Sequence, residues 1–434
     1  MSRVYIKRGV EFLFFSKFTL YALFFVYGIT AFDDAPGDDL SSSYMACVLF
    51  LKGETEHLYD FHNVFFQIVN SAAWIEAAVD TKFSGFLHPY VQIPLWGWGL
   101  QPLCGNFSFQ SFKIIFLACS LLSIIITIEI TARAWAPLFL QKLPLTILLI
   151  SLAMTTPFKY AMWLIQTHSL FMTMIIAALL LSTRKRDYLA GFLLALACAV
   201  KITPGFIALY WFVVGRGKSV KWFIINLFII IIFSILVSGT EMFLDYIHSM
   251  RRVADVLLLS FNNQSFAAWY AYSHAQMNEL WNWRIHTVPI ILKYGSILLC
   301  VVGVMFCGVL ARRNPNKDAL AVSIAVIFIT IFSPIAWTHY YIMILPAVMV
   351  TVNIKRWVYS PLLILIFLLN TEPLAVNPIM PYVGTITVIR SHFFSAMLLC
   401  GYGVGELLRE VSKTAAGHRT IMVLKWFHKE PLQN

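Results

Sequence analysis

The chain has 434 residues, of which 59% are hydrophobic and 12% charged, with a formal net charge of +11. A water-soluble domain is about 25% charged, so so few charges exclude a soluble globule of this size. The positive balance does not point to nucleic acid either: the basic residues fall in short clusters between apolar runs, as cytoplasmic loops of membrane proteins do. Runs such as Trp222 to Val237 and Tyr294 to Leu310 are long enough to cross a bilayer as helices, and their continuous hydrophobicity excludes alternating barrel strands.

In chain order, the first apolar run covers residues 10–32 behind Arg3, Lys7 and Arg8. It is too long and too aromatic for a cleaved signal and reads as an uncleaved first span. Residues 33–110 follow as a long external loop with interfacial or re-entrant helices, Trp74, Trp96 and Trp98 sitting at headgroup level. Further spans are predicted near 111–133, 142–156, 161–182, 188–201, 203–215, 219–239, 285–311, 319–334, 338–352, 357–371 and 384–408. That makes twelve, with both termini cytoplasmic, because all the basic clusters then share one side. Residues 240–284 form a second external segment, and 409–434 a cytoplasmic tail. The expected fold class is an all-α integral membrane protein of one domain, 1–434, without internal repeats.

Seven cysteines are scattered without a CxxC pair. This argues against a metal or redox site. Cys47 and Cys104 share the first external loop, where a disulfide between them is left open.

Chemistry concentrates at few places. Asp33, Asp34, Asp38 and Asp39 follow the first span directly; they stop one helix and cap the next, or they supply a general base at the membrane edge. Lys201 lies among apolar residues, where a cation must snorkel or be matched by an anion such as phosphate. His339 sits in a loop pinned by Pro334, between two spans on the outer side. Asn263–Gln264–Ser265 reads as a glycosylation sequon or a turn.

Taken together in order, these elements resemble glycosyltransferase family 87, polyprenyl-phosphate-sugar-dependent enzymes of the GT-C fold that include mannosyl- and arabinofuranosyltransferases. The matching residues are Asp39, Tyr44, Gly53 and Tyr59–Asp60; His88–Pro89–Tyr90 for a Tyr-Pro-Pro segment; Gln166; Gly191 through Lys201 and Pro204; Asn263–Gln264–Ser265; and Ser333–Pro334 through Trp337 and His339. Ile165 stands where the family carries glycine, and Thr338 where an acidic residue is common.

The resemblance implies a sugar, first of all mannose, moved from a polyprenyl-phosphate donor to a lipid or glycan hydroxyl with inversion. The site faces outward from a membrane expected to be the bacterial inner one. Asp39 is the expected base, with Asp38 as its alternate, and the helix N-terminus is expected to favour the ionised carboxylate. Lys201, His339 and Arg390 are expected to meet the donor phosphate. Tyr44, His88, Gln166, Asn263, Gln264 and Trp337 are the expected substrate contacts. No metal or other cofactor is expected. The competing reading is a transporter or flippase for a lipid-linked sugar, since twelve spans suit it equally.

Overall fold

The computed structural model describes residues 16–60, 69, 71–83, 85–260, 262–272, 284–354, 360–371 and 391–427. It is built almost wholly of helices. Arg390 and the amino-terminal basic cluster lie outside the described residues.

The segment expected as the first span holds the short apolar helix α1 (Lys17–Phe32). The loop region then folds into α2 (Asp38–Lys52), α3 (Ala72–Asp80), α4 (Pro94–Gly99) and α5 (Gln101–Cys104). Among the described residues, three helices are long and apolar enough to cross a membrane: α6 (Phe109–Ala134), α12 (Gly217–Ser238) and α15 (Ile290–Arg313). Between them come α7 (Lys142–Met154), α8 (Thr156–Trp163), α9 (His168–Thr183), α10 (Asp187–Val200) and α11 (Phe206–Val213). The carboxy-terminal part holds α16 (Asp318–Ile331), a 3₁₀ helix (Thr338–Ile344), α17 (Leu345–Ile354), α18 (Ser360–Leu369) and α19 (Ser391–Phe427).

Two expectations are corrected here. The span predicted near 161–182 is not continuous, because α8 and α9 meet at 114°. The second loop segment, 240–284, is not all helical. After the amphipathic helix α13 (Thr240–Ala254) runs β1 (Val256–Leu259), and beyond α14 (Phe266–Tyr272) lies its antiparallel partner β2 (Arg284–Thr287). Val256 pairs with Thr287 and Leu259 with Arg284. β1 is a short aliphatic run and β2 reads Arg284, Ile285, His286 and Thr287, each too brief to show a period.

The first loop is also less peripheral than expected. Leu40 through Phe50 of α2 are buried without interruption; the helix is enclosed by α3, α4, α5 and α6 rather than lying on a surface. A disulfide, Cys47–Cys104, ties α2 to α5 across 57 residues of sequence.

Small residues set the closest helix approach. A Cβ on Gly191 of α10 would lie 2.5 Å from the backbone nitrogen of Phe223 in α12, so these two helices touch at their backbones only because that position is glycine. Helices α1 and α6 run antiparallel, and polar pins mark both ends. At one end Lys113 of α6 donates to the carbonyl of Ala35 at 2.5 Å. At the other, Glu129 accepts from Lys17 at 2.5 Å and from Arg133 at 2.6 Å. The two pins are about 24 Å apart at 1.5 Å per helical residue, and the catalytic candidates collect at the first.

Candidate active site

Asp38 and Asp39 occupy the first turn of α2, and the residue that caps it is Gly37, at φ 64°. The expected capping role for Asp39 is therefore displaced by one turn geometry: only glycine enters this left-handed position freely. The turn is held from three sides. Gly37 donates its N–H to the carbonyl of Trp163 at 3.3 Å. Lys113 grips Ala35. A Cβ on Gly37 would stand 3.1 Å from Lys113 and 3.3 Å from Ile165.

Burial pushes the carboxyl groups of both Asp38 and Asp39 above the usual range, against the pull of His88. The expected helix-terminus stabilisation of the ionised form is thus outweighed by desolvation. Asp39 keeps 25% of its side chain accessible, with its Oδ1 3.9 Å from His88 Nε2. Asp38 is 8% exposed, and its Oδ1 has no hydrogen-bond partner among the described residues.

The break between α8 and α9 delivers the next side chains. Ile165 takes φ 50° there, a position where a β-branched residue is strained. The chain reverses direction, and Gln166 donates its amide N–H to Asp39 Oδ2. Gln166 is therefore not inside a continuous span, as expected, but at a half-buried corner of the backbone path that points its amide at the carboxylate.

Lys201 follows the last residue of α10, where the backbone becomes extended before the Thr203–Gly205 turn. Its Nζ donates to His168 Nε2 at 2.9 Å and lies 3.2 Å from the centroid of the Tyr340 ring. Among the described residues it has no carboxylate partner within ion-pair distance. Its nearest partners are a ring face and a neutral imidazole, and the Asp39 carboxylate acts on it from further off.

His339 is 2% exposed, and its Nε2 has no hydrogen-bond partner among the described residues. Its ring centroid is 5.0 Å from that of His168. The loop that carries it is clasped by the Asn263 region. Asn263 and Trp337 form an antiparallel bridge. Gln264 N–H donates to the Ala336 carbonyl at 2.7 Å, and Thr338 N–H to the Asn262 carbonyl at 2.9 Å. Asn263 is fully buried; its Oδ1 accepts from Ala336 N–H at 3.2 Å and its Nδ2 donates to the Leu258 carbonyl at 3.0 Å. The sequon reading is thereby overturned, since a buried amide bonded at both ends offers no nitrogen to a glycan.

Asp39, His88, Gln166, Lys201 and His339, far apart in sequence, converge. Tyr44 does not join them with its hydroxyl, which donates to the Phe107 carbonyl at 3.2 Å; its ring packs edge-on against Phe109 and Phe112. Asn263, Gln264 and Trp337 act on the His339 loop through the bonds just given. Two members went unnoticed in the sequence. His168 stacks on Tyr340 at 4.0 Å between ring centroids, and Tyr340 carries Lys201. The available signal was a second histidine in an apolar run, two residues after Gln166. A small cleft opens beside the cluster, lined by His168, Lys201, Thr203, Ser333 and Tyr340. Among the described residues no group of three or more His, Cys, Asp or Glu side chains is placed to hold a metal ion.

A half-buried carboxylate near a half-buried cation, with a cleft between apolar helices, suits displacement at a carbon bearing an anionic leaving group. Against known proteins, the family model of glycosyltransferase family 87 matches residues 95–334, more than half of the chain. The match contains Gln166, His168, Lys201 and Asn263; Asp39 and His339 flank it. No curated protein and no solved structure matches.

Proposed function

Because the chain belongs to glycosyltransferase family 87, it is a sugar-transferring enzyme, and we propose that it moves a sugar, mannose first among the candidates, from a polyprenyl-phosphate donor to a hydroxyl of a lipid or glycan acceptor, with inversion. In this reading the acceptor oxygen attacks the anomeric carbon and Asp39 takes the hydroxyl proton. The bond from that carbon to the phosphate oxygen breaks, and polyprenyl phosphate leaves with the electron pair. Lys201 and His339 meet the charge that gathers on the leaving phosphate; no metal is assigned to that task. The site faces the non-cytoplasmic side of a multi-pass membrane protein whose termini are cytoplasmic.

The observation that carries this reading is Lys201, near enough to Asp39 to feel its charge yet without a carboxylate counter-ion at ion-pair distance among the described residues. A phosphate would supply that counter-ion, and a lipid-borne phosphate explains why the enzyme is so apolar. A charged pair would also serve a transporter, and it is membership of a transferase family that favours sugar transfer over that alternative.

The test is transfer by purified protein from a panel of radiolabelled polyprenyl-phosphate sugars to total membrane lipid. Labelled product with at least one of them is expected. Lys201→Ala should weaken use of that donor about 10- to 150-fold, the equivalent of about 1.5–3 kcal/mol for a charged hydrogen bond. Product formed only from nucleotide sugars would overturn the donor assignment.

A further inference from the structure

The polar groups of the site form one connected chain. Lys201 Nζ is 2.9 Å from His168 Nε2. On the other edge of the same ring, His168 Nδ1 is 3.1 Å from Gln166 Oε1. The Gln166 amide nitrogen then donates to Asp39 Oδ2. The direction of every bond follows from chemistry. A lysine ammonium can only donate, so His168 Nε2 accepts. The ring proton is therefore on Nδ1 and is donated to Gln166 Oε1. This orients the amide, whose N–H₂ must face a group that only accepts, and the Asp39 carboxylate is such a group. Three bonds thus run in a single sense from Lys201 to Asp39, and no link can be reversed alone without leaving two donors or two acceptors face to face.

The chain also decides which atoms stay available. Asp39 Oδ2 is occupied. Oδ1 is turned toward His88, 3.9 Å away, a gap too wide for a direct hydrogen bond. At Lys201, two of three donors remain free of His168. On the reading of the site given above, we propose that Gln166 and His168 are positioning residues: they align Asp39 with the phosphate-binding lysine, reserve Asp39 Oδ1 for the acceptor hydroxyl, and hold His168 as the neutral Nδ1–H form. The carboxylate that receives the proton and the cation that meets the leaving group sit on opposite ends of one rigid unit, so each is in place only when the other is. The strained turn at Ile165 and the backbone bond from Gln166 N–H to the Ala161 carbonyl at 2.9 Å fix the corner from which the amide projects.

Substitution at position 168 separates this role from packing. Phenylalanine keeps the ring stacked on Tyr340 but removes both bonds. Glutamine loses the ring yet can accept from Lys201 and donate to Gln166, preserving the sense of the chain. His168→Phe should lower kcat about 10- to 100-fold, the cost of a misplaced reacting group, with the donor KM changed far less. His168→Gln should retain several-fold more turnover than His168→Phe. Equal rates, or a faster phenylalanine variant, would reduce His168 to a packing residue.

A second measurement needs no turnover. In purified full-length protein labelled with ¹⁵N-histidine, the His168 resonances, assigned by their loss in His168→Gln, should show Nδ1 protonated and Nε2 bare. Lys201→Met, which removes the donor that sets the tautomer, should abolish that preference. An Nε2-protonated ring in the wild-type protein would overturn the relay whatever the activity. Absence of any sugar transfer with the tautomer as stated would count against the donor reading alone.

Discussion

Asp39 is subject to two opposing demands. A base must ionise, whereas burial favours the neutral acid, and here burial prevails in direction. The sign follows from proton linkage: a carboxyl whose folded pKa lies above its unfolded value binds its proton more tightly in the folded state, so stability falls as pH rises through the folded pKa. Activity moves the opposite way, appearing as the carboxylate forms. The kcat/KM profile should therefore show an acid limb centred above the ordinary carboxylate range. Asp39→Asn should cost about 10² to 10⁴ in rate while raising the thermal unfolding midpoint at neutral pH. A lowered midpoint would mean that the charge stabilises the fold, contrary to this account.

Ile165 sits two residues after Trp163 and makes a second test at the same scale. It is 1% exposed and holds φ 50°, where a side-chain Cβ costs about 1–2 kcal/mol. At ordinary positions alanine is more stable than glycine by about 0.5–1 kcal/mol. Here the order should reverse: Ile165→Gly should exceed Ile165→Ala by about 1 kcal/mol, read from paired thermal or denaturant unfolding. Both should fall below wild type, because each loses a buried aliphatic side chain.

At the scale of elements, the site depends on a clasp between residues 262–265 and 334–341. Besides the bonds at Asn263, Ser265 Oγ donates to the Pro334 carbonyl at 3.2 Å and Tyr341 Oη to the Gln264 carbonyl at 2.6 Å. The clasp joins the second loop segment to the helix pair α16 and α17. Asn263→Ala would strand the Leu258 carbonyl and the Ala336 N–H in a buried place, each costing about 1–3 kcal/mol. We expect a clear drop in unfolding temperature together with loss of turnover, and no change in apparent mass on glycosidase treatment of wild-type protein. Retained stability in Asn263→Ala would show that the backbone bridge suffices.

For the whole molecule, the polar pins separate two ends. Asp39, Lys201 and His339 gather at one, while Glu129, Arg133 and Lys17 meet at the other. Near the basic end, Arg216 contacts Asp318 at 2.6 Å, and Tyr210 donates to the same carboxylate at 2.7 Å. The basic clusters at residues 184–186 and 216–221 lie on that side of their helices. A membrane-impermeant thiol reagent applied to intact cells should label His57→Cys and spare Lys185→Cys. The inverse pattern would turn the proposed orientation over.

What the sequence by itself determined is chiefly compositional and sequential. Long apolar runs exclude a soluble fold because too few charges exist to solvate one. Basic clusters between apolar runs suggest one common side, an expectation that requires an even number of crossings between neighbouring clusters. The order Asp39, Gln166, Lys201, Asn263, His339 was enough to suggest the family. Only the tertiary structure decided what those residues do to one another. Hydrophobic periodicity reports which face of a helix is buried, not where a helix bends, so the 114° corner at residues 164–167 was invisible, and with it the reason Gln166 reaches Asp39. His168 looked like one more residue in an apolar run because Lys201 and Tyr340 reach it from distant parts of the sequence. The Asn263 amide looked like a surface sequon because a three-residue motif carries no record of burial. Long-range pairing of single polar groups leaves no local pattern, and that pairing is what assembles this site.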